Sequence, residues 1–130
     1  MLHLHHVQVA CPVDGEDGAR RFYGDGLGLD EVPKPADLAG RGGCWFRAFD
    51  VASAVTAEVH VGVEEPFAPA RKAHPAFVVE SPAELDRVAE RLERLGFDVD
   101  RTDRHTFAGH LRFRTRDAAG NRVEVLSPLR

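Results

Sequence analysis

His6 and His74 open two stretches of the chain that nearly repeat one another at an offset of 68 residues. His6-Val7-Gln8-Val9 answers to His74-Pro75-Ala76-Phe77, and Leu27-Gly28-Leu29-Asp30 answers to Leu95-Gly96-Phe97-Asp98. A third match, Phe46-Arg47 with Phe113-Arg114, has an offset of 67. Repeats of this kind point to two copies of one small unit, each bringing a polar ligand to a shared centre. Strand parity extends the set. If Val7 and Val9 face the interior, His6 points to the opposite side. The same alternation sets His60 against Val59 and Val61, and Glu124 against Val123 and Val125. Imidazole and carboxylate together suit divalent zinc, iron, nickel, cobalt or manganese. A lone histidine on a half-buried strand is more often a hydrogen-bonded structural residue than a ligand. The repeat-related placement of His6 and His74 is what favours the metal here. His3, His5, His105 and His110 lack that support: His5 has the wrong parity and His3 faces solvent.

His6, His74 and Glu124 alone form a two-histidine, one-carboxylate triad with open positions. With His60 there are four protein ligands and fewer sites for substrate. In either case the ion acts as a Lewis acid that chelates two neighbouring substrate oxygens. Arg47 and Arg114 are repeat-related, and Trp45 and Arg112 share their strand faces. If Phe46 and Phe113 pack under helices, these four residues line the same space. The guanidinium fork matches carboxylate or phosphonate, so an anionic substrate is expected.

The chain must fold to position these groups. Its 130 residues make about one domain, and halves of that length bury too little surface alone. The halves, 1–65 and 73–130, are therefore expected to share one core. Hydrophobic residues make up 43% and charged residues 29%, as in ordinary globular proteins. The net charge of −4 and the scattered basic residues leave no nucleic-acid footprint. No apolar run reaches membrane-span length, and the N-terminus lacks a signal-peptide core. Cys11 and Cys44 form no CxxC and read as small buried hydrophobes in a reduced, cytoplasmic setting.

Residues 3–11 read as a strand, Asp17 to Leu27 as a short helix, and 33–43 as a loop with two prolines and three glycines. Cys44 to Phe49 and Ala54 to Val63 are strands, and 64–72 is a connector. In the second half Ala73 to Glu80 is a strand. Ser81-Pro82-Ala83-Glu84 is a capping box with proline at the first helical position. Leu85, Val88, Ala89, Leu92 and Leu95 form the apolar stripe of the helix that follows, and Gly96 stops it. Strands are expected near 97–100, 110–115 and 122–126, so each half reads β-α-β-β-β.

Taken together, His6-Val7-Gln8-Val9, Phe22-Tyr23-Gly24-Asp25-Gly26-Leu27-Gly28-Leu29, His74-Pro75-Ala76-Phe77-Val78-Val79 and Asp117-Ala118-Ala119-Gly120-Asn121-Arg122-Val123-Glu124 carry a resemblance. The chain resembles the vicinal oxygen chelate superfamily of glyoxalase I, extradiol dioxygenases, fosfomycin-resistance transferases and bleomycin-resistance proteins. The resemblance implies an α+β fold: two tandem βαβββ modules whose strands curl into a mixed-sheet cup, with helices outside. It implies ligands on the first and last strands of each module, which fall on His6, His60, His74 and Glu124, and a homodimer. By analogy with glyoxalase, Glu124 would leave the metal to act as base. Asp117-Ala118-Ala119-Gly120 departs from the usual Asp-Pro-x-Gly. The expected function is a metal-dependent glyoxalase- or dioxygenase-type enzyme acting on a small anionic molecule with vicinal oxygens. A thiol transferase of the fosfomycin type is a variant of it. The competing expectation is a metal-free, drug-sequestering protein of the bleomycin-resistance type, which needs no ligands at these positions.

Overall fold

A computed structural model describes residues 1–130. Each half supplies four strands. They are β1 (Val7–Cys11), β2 (Asp30–Val32), β3 (Cys44–Phe49) and β4 (Val55–Val63), then β5 (Ala76–Val78), β6 (Val99–Asp100), β7 (His110–Arg116) and β8 (Arg122–Pro128). They form two four-stranded sheets, ordered β1-β4-β3-β2 and β5-β8-β7-β6. In each sheet the first pairing is parallel and the others antiparallel. This is the expected α+β arrangement of two βαβββ modules, with the sheets not closed upon each other.

The helices follow from local sequence. α2 (Pro82–Arg94) starts where Ser81 Oγ accepts the Glu84 amide at 3.2 Å and proline takes the first turn. Its stripe of Leu85, Val88, Ala89 and Leu92 is buried. In the first half, α1 (Glu16–Ala19) runs into a π-helical stretch, Arg20–Gly26. Leu27 N donates to Phe22 O at 2.8 Å, the wider spacing of that helix type. Gly24 and Gly26 lie within it, and glycine weakens the ordinary α ladder.

Three expectations change at the element ends. Residues 3–6 are outside the strand: the ladder with β4 begins at Val7, and the segment before it is exposed. The strand expected from Ala73 begins at Ala76, because Pro75 has no amide to donate. Within the expected loop 33–43, Ala36–Arg41 forms a 3-10 helix.

One core serves both halves. Phe22, Phe46 and Val59 belong to the same buried cluster as Leu85, Leu92, Phe113 and Val125. Phe22 meets Phe97 edge to face at 5.1 Å, and Arg91 Nε donates to Gly26 O at 2.8 Å. Cys11 and Cys44 are free and buried, and burial pushes the Cys44 thiol up to about 11.

The β7–β8 turn is tied back to the first half. Tyr23 Oη donates to Asp117 Oδ2 at 2.7 Å, and Asn121 Nδ2 donates to Ala10 O at 2.7 Å. Burial first, and the Asp117 charge second, push the Tyr23 hydroxyl well above its usual range. A group whose folded value is raised stabilises the fold below its unfolded value, about 10, and loses that contribution as pH rises further. Tyr23→Phe is therefore expected to cost about 1–2 kcal/mol at neutral pH. Its urea midpoint should also fall less steeply above pH ~10 than that of the wild type. Parallel alkaline slopes would contradict this.

Candidate metal centre

Phe46, Val59, Phe113 and Val125 lie in the core. Their strand neighbours therefore project from the opposite face of each sheet. On the first sheet, register sets Trp45 opposite His60 and Arg47 opposite Glu58. Glu58 is only 7% exposed. Its Oε1 accepts from Arg47 Nε at 2.7 Å, and its Oε2 lies 2.7 Å from His60 Nε2. The His60 ring is stacked between two others. Trp45 lies 3.7 Å away and 1° from parallel, and His6 lies 4.0 Å away at 20°.

Burial pushes the Glu58 carboxyl up, but hydrogen bonds from His60 and Arg47 outweigh it and hold it below the usual carboxylate range. Burial also lowers His60, against the hydrogen bond with Glu58, and the net direction is downward. An ionised Glu58 is acceptor-only, so a neutral His60 donates its Nε2 proton to it.

The second sheet repeats the pattern. Arg114 stands opposite Glu124, and Arg112 lies two residues before it on β7. Glu124 Oε1 accepts from Arg112 Nη1 at 2.7 Å, and its Oε2 lies 3.2 Å from His74 Nε2. Burial raises the Glu124 carboxyl, while hydrogen bonding to Arg112, with a smaller share from His74, brings it below its ordinary value. Arg112 also donates to Thr106 Oγ1 at 2.8 Å and lies 5.3 Å from the Phe107 ring, which ties the loop after β6 to Glu124. In each module, then, one buried carboxylate gives one oxygen to an arginine and the other to a histidine.

Two ligands of one ion, each about 2.0–2.2 Å from it, stand about 3.0–3.4 Å apart. The His74–Glu124 separation of 3.2 Å fits this spacing. His5 Nδ1 and His6 Nδ1 are 2.9 Å apart, and together with Glu58 they bring ligand atoms within 4.8 Å of one another. A cavity of about 650 Å³ opens onto His5, His6, Glu58 and His74; Glu124 does not line it but is joined to His74. Neutral imidazole and ionised carboxylate are the donor chemistry that a divalent ion requires.

Of the residues singled out from sequence, the structure brings His6 and His74 to one cavity and joins His74 to Glu124. The group of converging ligand atoms comprises His5, His6 and Glu58; His60, His74 and Glu124 lie outside it, His60 beside Glu58 and Glu124 beside His74. One face of Trp45 is covered by His60. Arg47 and Arg112 are bound to the two carboxylates, and Arg114 Nη1 is bound to Asp103 Oδ2 at 2.6 Å. Sequence reasoning passed over Glu58 and His5. Parity placed Glu58 on the His60 face, and the Arg47/Arg114 repeat could have singled it out, since those arginines stand opposite Glu58 and Glu124. The parity argument against His5 fails because His5 precedes the ladder.

Comparison with known proteins agrees with the fold. A glyoxalase family protein from Bacillus anthracis is 40% identical, with 98% of this chain and 96% of that chain covered and a TM-score of 0.84. The genomically encoded fosfomycin resistance protein FosX from Listeria monocytogenes is 13% identical over 98% and 93%, with a TM-score of 0.72. Lactoylglutathione lyase from Agrobacterium tumefaciens is 24% identical over 98% and 96%, with a TM-score of 0.64. No match was found among curated proteins. Residues 3–125 match the Glyoxalase/Bleomycin resistance protein/Dioxygenase superfamily, and the chain belongs to that family.

Proposed function

We propose that the protein is a metal-dependent enzyme of the glyoxalase/dioxygenase type. It acts on a small anionic molecule with vicinal oxygens. The observation that carries this reading is the convergence of His5, His6, Glu58 and His74 on one cavity, with Glu124 joined to His74. His6, Glu58, His74 and Glu124 are the ligands of this proposal, with His5 in reach. His60 orients Glu58 through its hydrogen bond. A bound zinc, iron, nickel, cobalt or manganese ion would supply Lewis acidity toward two adjacent oxygens. Glu124 is the candidate base, and Arg112 holds it ionised and aimed. Arg47 and Arg112 contribute through the carboxylates they hold, while the cavity itself is lined mainly by apolar side chains.

The site is proposed to work in a homodimer of cytoplasmic chains. β1 and β5 are edge strands, and Leu4 and Val78 are 83% and 67% exposed. Open edges and exposed apolar side chains are surfaces that a second chain can cover. No helix is long and apolar enough to cross a membrane.

A second reading has its own support. Arg47–Glu58–His60 and Arg112–Glu124–His74 are already satisfied internally, as a metal-free drug-binding cup would require. The test is turnover by purified dimer, its mass set by light scattering. Iron in the protein directs oxygen-uptake assays with catechols; nickel, cobalt or zinc directs isomerase and lyase assays. The enzyme reading expects turnover that chelator abolishes and metal restores. Tight binding of an aromatic drug by metal-free protein, with no metal uptake, would favour the binder instead.

A further inference from the structure

Cations beside both candidate ligand carboxylates are an unusual expense in a site meant to attract a cation. Glu58 and Glu124 lie near the surface of their own sheets yet are only 7% and 5% exposed. Each is held through Oε1 by an arginine, Arg47 at 2.7 Å and Arg112 at 2.7 Å. The pairing is not forced by register alone. Arg47 stands directly opposite Glu58, whereas Arg112 reaches Glu124 diagonally, from opposite Leu126. The two modules thus arrive at one arrangement by different routes.

Its electrostatic result follows from counting charges. Each arginine cancels the carboxylate it holds, and the histidines are neutral when they ligate. A divalent ion therefore keeps its full double charge whichever module's ligands hold it, or if both do. Without the arginines, two ligand carboxylates would neutralise the ion. Coulomb energy between unit charges about 6 Å apart falls near 3 kcal/mol at an effective dielectric constant of ~20, about a hundredfold in affinity.

We propose, building on the metal-enzyme reading above, that Arg47 and Arg112 are positioning residues that act on substrate through the ligand carboxylates. They keep the loaded centre dicationic, so that it selects a doubly charged, chelating anion such as a dicarboxylate or phosphonate over a neutral diol or dione. Direct salt bridges from these arginines to substrate are not required. Arg114 has no part in this, being held by Asp103 at 2.6 Å.

The test uses full-length protein loaded with Mn²⁺ and titrated calorimetrically with oxalate, a dianion with adjacent oxygens. Arg47→Gln and Arg112→Gln keep a hydrogen-bond donor to Oε1 but remove the charge. Each is expected to retain wild-type metal stoichiometry and to bind oxalate at least ten-fold more weakly. Arg47→Lys and Arg112→Lys should recover most of the loss, and binding of neutral catechol should change little in any variant. A merely structural role would move thermal stability and leave this oxalate-to-catechol ratio alone. Metal-loaded glutamine variants that bind oxalate as tightly as wild type would overturn the inference and leave the metal reading standing. Wild-type protein that takes up neither Mn²⁺ nor zinc, iron, nickel or cobalt would overturn both.

Discussion

Glu124→Ala should lower metal affinity by at least a hundredfold and destabilise the fold at the same time. The first effect has two sources. A ligand is lost, and Arg112 is left as an uncompensated cation near the ion, which costs about 5–6 kcal/mol for a unit and a double charge roughly 6 Å apart at an effective dielectric constant of ~20. The second arises because the Arg112 and Glu124 side chains are only 14% and 7% exposed. Removing one partner of a buried ion pair costs about 3–5 kcal/mol. The two effects separate in a double variant. Glu124→Ala/Arg112→Met removes the stranded charge and is expected to regain most of the stability without regaining the ion. Recovery of metal binding in the double variant would show that Glu124 is an ion-pair partner only. Chemical denaturation and metal titration on the same samples decide it.

Phe22→Ala is expected to destabilise the protein by about 3–5 kcal/mol, the usual range for emptying a fully buried phenylalanine site. Phe22 has no exposed surface. It packs on Tyr23 within its own module and on Phe97 of the other, both edge to face. The loss therefore falls on the contact between modules. From the single core we infer that residues 1–65 and 73–130 unfold together. Wild type and variant should each show one denaturant transition, with the variant's midpoint lower and its slope unchanged. Two resolved transitions, or a loss confined to the first half's amide protection, would mean that the modules fold separately.

The parts of this molecule most legible from sequence are those where a local rule and the tertiary structure agree. Ser81-Pro82-Ala83-Glu84 announces α2, and Ser81 caps the Glu84 amide as expected, while the Glu84 carboxylate goes to Arg87 instead of closing the box. The alternation of Val59 and Val61 with Glu58 and His60 separates core from polar face along β4. The offset between His6 and His74 anticipates their meeting at one cavity.

The proposed ligand set is less legible, for physical reasons. Parity holds only where a ladder fixes the backbone, and His5 and His6 lie before it. Parity also cannot choose between Glu58 and His60, two residues apart on one face. Tertiary contacts choose: stacking against Trp45 and His6 turns His60 toward Glu58, and the carboxylate then faces the cavity. Sequence does not report which cations find a buried partner, so from it alone the arginines are expected to meet substrate. Asp103 lies in a loop with no pattern, so its hold on Arg114 left no signal.

The most direct test of the proposed ligand set is elemental analysis of untagged protein, purified without chelator and reconstituted with each divalent metal, beside three variants. The account predicts one ion per site in the wild type. It predicts retention with weakened affinity, by about 10–100-fold, in His60→Ala, whose effect is through Glu58. It predicts no retained ion in His6→Ala/Glu124→Ala or in Glu58→Ala/His74→Ala. Wild-type protein that stays metal-free after reconstitution, or paired variants that keep their ion, would contradict it.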